Sequence, residues 1–109
     1  MVRVTVLREQ GIPVGFQLAG HADQGAYGED VVCAGISAIT ETALLGITDV
    51  LKLDAATARE DGHVRCELSR ETSTEDMEKA AIVFNTMIAG LTSLQRAYPK
   101  SLKFSYREV

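Results

Sequence analysis

Two cysteines and two histidines supply the nucleophile and base chemistry of this sequence: Cys33, Cys66, His21 and His63. Cys33 follows Asp30 by three residues at the start of a predicted helix, where free backbone N–H groups and the helix dipole favour an anion. That setting favours thiolate, the form of cysteine that attacks a carbonyl. His21 stands twelve residues earlier, where a predicted strand gives way to a glycine-containing loop able to fold back toward Cys33. An imidazole within reach of the sulfur takes its proton and returns it to a leaving amine. The pair is therefore suited to acyl transfer. Spacing alone favours the plainer reading, a structural thiol and an exposed loop histidine.

The neighbours of this pair read in two ways each. Asp30 caps the helix start, and it also suits the orienting acid of a Cys-His-acid arrangement. Ser37, one turn after Cys33, can bond a thiolate or substrate, or its own i−4 carbonyl. Gly20, Gly25 and Gly28, with Ala22 among them, let a peptide lie close to the backbone, or make a plain irregular connection. As a phosphate cradle the segment is poor, because it lacks the P-loop lysine and hydroxyl and enters its helix through Glu29 and Asp30. Cys66 shares a predicted strand face with Val64 and Leu68 and reads as an inert core thiol. His63 follows a turn glycine and reads as an exposed turn residue. No CxxC spacing occurs, and neither a metal nor another cofactor is expected.

The elements that position these residues follow from hydrophobic period. Val2, Val4 and Val6 alternate with polar neighbours over residues 2–8, and Ile12 to Ala19 forms a second apolar run after Glu9-Gln10-Gly11, giving a hairpin. Residues 20–29 read as a loop. A helix is expected from Val31 to about Leu53 with Asp30 as its cap, apolar around most of its circumference. Two strands over 55–60 and 63–69 meet at Asp61-Gly62. Ser73 and Asp76 form a capping box for a second helix whose apolar positions include Met77, Ala81, Phe84, Ile88 and Leu91, ended by Pro99. Leu102, Phe104 and Tyr106 mark a last strand. The order ββαββαβ predicts one α+β domain over residues 1–109, a two-layer structure with both helices on one face of a largely antiparallel sheet.

Composition sets the outer bounds. A chain of 109 residues and 11.8 kDa fits one domain with an ordinary core. A net charge of −4 with scattered Lys and Arg argues against a nucleic-acid partner. The apolar stretches are interrupted by polar residues before the length of a membrane span, and the N-terminus lacks a secretory h-region, so no membrane association is expected and the expected compartment is the cytoplasm. Solvated Ile and Leu on the first helix would leave a large apolar patch, which leads to the expectation of a homodimer through the helices.

One segment is more specific than any of these features: Gly20-His21-Ala22, then Gly25 and Gly28, then Asp30-Val31-Val32-Cys33-Ala34-Gly35-Ile36-Ser37. It resembles the signature of the ribosomal-processing cysteine protease family, Prp, also called the YsxB-like proteins, and the similarity extends through the ββαββαβ order. Gly35 departs from the family pattern, where a larger residue is common. The resemblance implies a cytoplasmic, homodimeric cysteine endopeptidase that removes a short N-terminal extension from a precursor of a large-subunit ribosomal protein of the L-twenty-seven family. It implies Cys33 as nucleophile, His21 as base, Asp30 and Ser37 as supporting residues, and residues 22–29 as the segment over the substrate cleft. Two other classes compete with it: a ribosome-assembly binding module without catalysis, and a thiol redox sensor.

Overall fold

The computed structural model describes residues 1–20, 27–60 and 62–109, with residues 27–30 described by their backbone alone. Strands β1 (Val2–Glu9) and β2 (Ile12–Ala19) are followed by helix α1 (Tyr27–Leu45), which runs on into a π-helical turn at Gly46–Val50. Strands β3 (Ala55–Glu60) and β4 (His63–Leu68), helix α2 (Thr74–Ala97) and strand β5 (Leu102–Glu108) complete the chain. The five strands form one mixed sheet in the order β3-β4-β2-β1-β5. All pairings are antiparallel except β1 with β5, which is parallel.

Local chemistry explains the connections. Gln10 and Gly11, at φ 51° and 80°, give the left-handed two-residue turn that matches strand twist in a hairpin. Gly62, at φ 74°, does the same work between β3 and β4. Ser73 accepts a hydrogen bond from the Asp76 N–H at 3.1 Å, as the capping box requires. Helix α2 ends at Ala97, just before Pro99, because proline disfavours a helical residue ahead of it.

Side chains from one face of the sheet and from both helices make the core. Val4 and Val6 of β1, Phe16 and Leu18 of β2, and Val64 and Cys66 of β4 pack with Val32, Ile36, Leu44 and Ile47 and with Ala80, Phe84, Met87 and Leu91 of α2. The buried stripe of α2 thus passes through Ala80 and Met87, rotated slightly from the expected Ala81 and Ile88. Phe16 and Phe84 meet edge to face at 6.1 Å between ring centroids, the arrangement that aromatic quadrupoles favour. Val6 and Leu7 are both buried where the β1 and β2 register shifts between Leu7 and Arg8, since a bulge interrupts strict alternation.

Three expectations need correction here. Helix α1 starts at Tyr27, four residues before the expected first helical residue, so Asp30 lies inside the helix and is not its cap. Gly28 is likewise a helical residue and no part of a loop. Finally, the stretch Val31–Val50 does reach the length and apolarity of a membrane span, with mean hydropathy 1.7. Val32, Ile36, Leu44 and Ile47 of this stretch pack in the core, which accounts for part of that apolarity, since only 33% of the stretch is buried.

Candidate active site

Cys33 is half-buried on α1 and opens into a cavity of about 150 Å³ at one end of the sheet. Ser37 and Glu41, one and two turns further along α1, line the same cavity, because side chains four apart share a helix face. Val2 of β1, Leu18 of β2 and Val64 of β4 supply apolar wall. Gly20, Glu60, Gly62 and His63 close the strand end. The sequence groups Cys33 and Ser37 correctly; Glu41 and Glu60 were missed, although the four-residue spacing of Glu41 from Ser37 was a usable signal.

The backbone at this end is tightly fixed. Gly20 has φ +102°, and a Cβ there would stand 2.6 Å from the Met1 carbonyl oxygen, so only glycine fits. Its N–H donates to the Gly62 carbonyl at 3.0 Å, tying the exit of β2 to the entry of β4. His21 and Ala22, together with Gly25, fall outside the described residues, as does Asp61. Gly20, the residue bonded to His21, nevertheless shares the cavity wall with Cys33.

Cys33 lies six residues beyond Tyr27, in the second turn of α1. The orphan amides of a helix belong to its first four residues, so the expected placement of Cys33 among them does not hold: the earlier helix start moved them upstream. The polar neighbours of Cys33 are instead the side chains around the cavity. Thr40, fully buried on α1, turns its hydroxyl back to the Ile36 and Ser37 carbonyls at 3.0 and 3.2 Å. This satisfies a core polar group without drawing on the site.

The remaining candidates separate clearly. Cys66 is fully buried, and burial pushes its thiol up to about 11, so it is inert as expected. His63 is half-buried in the cavity wall and so is no fully exposed turn residue. It pairs with Ala19 and precedes buried Val64, so strand alternation turns its imidazole away from the helix layer. Glu41 makes an ion pair with Arg59 of β3 at 3.9 Å, both side chains being about half exposed. Among the described residues, no three His, Cys, Asp or Glu side chains cluster closely enough to hold a metal.

Comparison with known proteins places this geometry. The model of a family described as cysteine protease Prp matches residues 1–103. The ribosomal processing cysteine protease Prp of Staphylococcus aureus is 29% identical over 109 residues, covering 97% of both chains. Its Bacillus subtilis counterpart is 28% identical over 111 residues, covering 94% of this chain and 95% of the relative. A crystal structure of the Staphylococcus aureus ribosomal processing protease Prp with a covalently linked product peptide superposes with a TM-score of 0.80 at 25% identity, covering 98% of this chain and 100% of that one. With its α+β fold and its half-buried Cys33 at the sheet end, the chain belongs to the cysteine protease Prp family and is a cysteine protease.

Proposed function

We propose that this chain is an endopeptidase that removes the N-terminal extension of a large-subunit ribosomal protein of the L-twenty-seven family, with Cys33 as nucleophile and His21 as base. The observation that carries the reading is the shared cavity of Cys33, Ser37 and Gly20, because Gly20 fixes where the chain enters His21. Gly20, the residue covalently before His21, stands at the edge of the space into which the thiol opens. The substrate assignment is supported by the relatives' ribosomal processing role.

The reaction is acyl transfer. The Cys33 sulfur bonds to the scissile carbonyl carbon after His21 takes its proton; collapse of the tetrahedral adduct breaks the C–N bond as His21 returns that proton to the amine. Water then attacks the thioester, restoring the thiol and releasing the acid. Ser37 supports the thiolate or the carbonyl from one turn away, and Asp30 supports the imidazole. Gly20, Ala22 and Gly25 present backbone to the peptide. The chemistry requires no cofactor or metal.

The enzyme acts in the cytoplasm as a homodimer. Both thiols are free, which suits a reducing compartment. An apolar groove of about 550 Å³ lies between α1 and α2, lined by Ala38, Ile39, Gly46, Val83 and Met87 with Ile82, which is 70% exposed. Unpartnered apolar surface of that kind marks an association site.

Incubation with a peptide spanning the extension junction tests the proposal, read by mass spectrometry. Cleavage at one bond, lost in both Cys33→Ala and His21→Ala, is the expected result. Binding without cleavage by the native protein would instead identify a non-catalytic assembly module.

A further inference from the structure

We propose that the substrate peptide binds by adding a strand to the open edge of β3, extending past Glu60 into the Cys33 cavity. The inference rests on Cys33 being the nucleophile and goes beyond it, to how the polypeptide on one side of the scissile bond is held.

The cavity alone cannot hold a peptide. At about 150 Å³ it is well below the roughly 300 Å³ at which small-molecule sites begin. It takes one residue of a longer ligand, and the rest needs a track. Glu60, the last residue of β3, lines the cavity, and β3 is an edge strand with no strand partner on its outer side among the described residues.

Hydrogen-bond register shows which groups of β3 are available. Gly20 N–H bonds Gly62 C=O beside the Ala19 and His63 pair, so that pair is of the wide, non-bonded kind. The N–H and C=O of His63 therefore face β3 and exchange with its partner Glu60. Alternation along the ladder turns Ala58 and Ala56 inward to β4 as well. The N–H and C=O groups of Arg59, Thr57 and Ala55 point outward. At the far end the Ser69 N–H bonds the Asp54 carbonyl at 3.0 Å, which is the pattern expected beside a wide Ala55 and Leu68 pair.

The two sheet edges differ in their defences. Proteins blunt exposed edges with charges, prolines or bulges. Strand β5 carries Lys103, Arg107 and Glu108, whereas β3 reads Ala-Ala-Thr-Ala before its first charge at Arg59. Small side chains leave its backbone open over the first four residues, and the cavity wall draws on β3, β4, β2 and β1 but not on β5. Strand addition reads backbone rather than side chains and pins an extended peptide, the conformation in which a scissile amide is accessible to Cys33.

The test uses amide hydrogen exchange by NMR on the Cys33→Ala protein, with and without the junction peptide. Slowing of exchange at Thr57 and Arg59, with Ala56 and Ala58 already protected, is expected. A set of peptides carrying one N-methyl amide each should then lose affinity at every second position only, by about five- to tenfold for one lost hydrogen bond. Peptide binding that leaves Thr57 and Arg59 unchanged, or an N-methyl series without period two, overturns the proposal. Protection of the same amides by raised protein concentration, without peptide, assigns the edge to a second copy and also overturns it. Retained cleavage by Cys33→Ala would instead remove the nucleophile assignment, a result the exchange data do not depend on.

Discussion

The Gly20 N–H and the Gly62 carbonyl meet at 3.0 Å, and this one bond joins the strand that leads into His21 to the hairpin that bounds the Cys33 cavity. It lies between two glycines of positive φ, at a point where neither strand has side chains to hold the other.

Gly20→Ala should damage both stability and catalysis. Its new methyl group would meet the Met1 carbonyl oxygen at 2.6 Å on a backbone already at φ +102°. Strain of this kind costs about 1 to 3 kcal/mol, and the relief available is to move the end of β2, which borders the Cys33 cavity. A urea melt should show a lowered midpoint, and peptide cleavage measured well below that midpoint should still be reduced at least tenfold.

The two thiols should differ in reactivity and in linkage to pH. Iodoacetamide at pH 8 should label Cys33 and leave Cys66 untouched until the protein is denatured, as peptide mapping would read. Burial raises the Cys66 thiol from 9.0 to about 11; its contribution to stability is therefore complete below pH 9 and is lost as pH rises from 9 toward 11. The expected slope is at most about 1.4 kcal/mol per pH unit from this group. Cys66→Ala should flatten that part of the stability profile.

Phe84→Ala should be among the most destabilising substitutions in α2. Phe84 is fully buried and meets Phe16 at an interplanar angle of 75°, so truncation opens a cavity where helix and sheet join. A loss of about 3 to 5 kcal/mol is expected, measured by denaturant unfolding, against about 1 kcal/mol or less for Ile82→Ala on the exposed side.

Ile82→Lys should abolish the proposed homodimer while leaving the monomer folded. Ile82 is 70% exposed at the rim of the groove between α1 and α2, so a charge there costs the monomer little and the dimer a desolvated ammonium. Sedimentation should show a shift from dimer to monomer at micromolar concentration. A native chain that is already monomeric there would remove the homodimer from the proposal.

Much of the fold was legible because its signals are local. The alternation of Val2, Val4 and Val6, the Ser73 and Asp76 cap and the glycine turns each depend on a few neighbouring residues, and all are observed. The start of α1 was misread because Tyr27 and Gly28 carry weak helix preference and Asp30 is a strong cap type; the capping rule pulled the boundary four residues late. The parallel pairing of β1 with β5 had no local signal at all, since it joins residues a hundred positions apart. At the site, the spacing of Cys33 and Ser37 was readable, whereas Glu41, Glu60 and the open edge of β3 emerge only when the sheet order is known.

That long-range pairing couples the Cys33 cavity to the far end of the fold. Val2 lines the Cys33 cavity, yet its strand is held on one side by residues 101–108, through the Val2 N–H to Ser101 carbonyl bond, the Thr5 and Ser105 hydroxyls and Arg8 stacked over Tyr106. Strands β1 and β2 are neighbours in sequence and pair locally, whereas β5 returns from the far end of the fold to complete the sheet beside β1. Contacts of such wide sequence separation form late and slowly. The wall that Val2 contributes to the Cys33 cavity is therefore set in place only once β5 has docked beside β1.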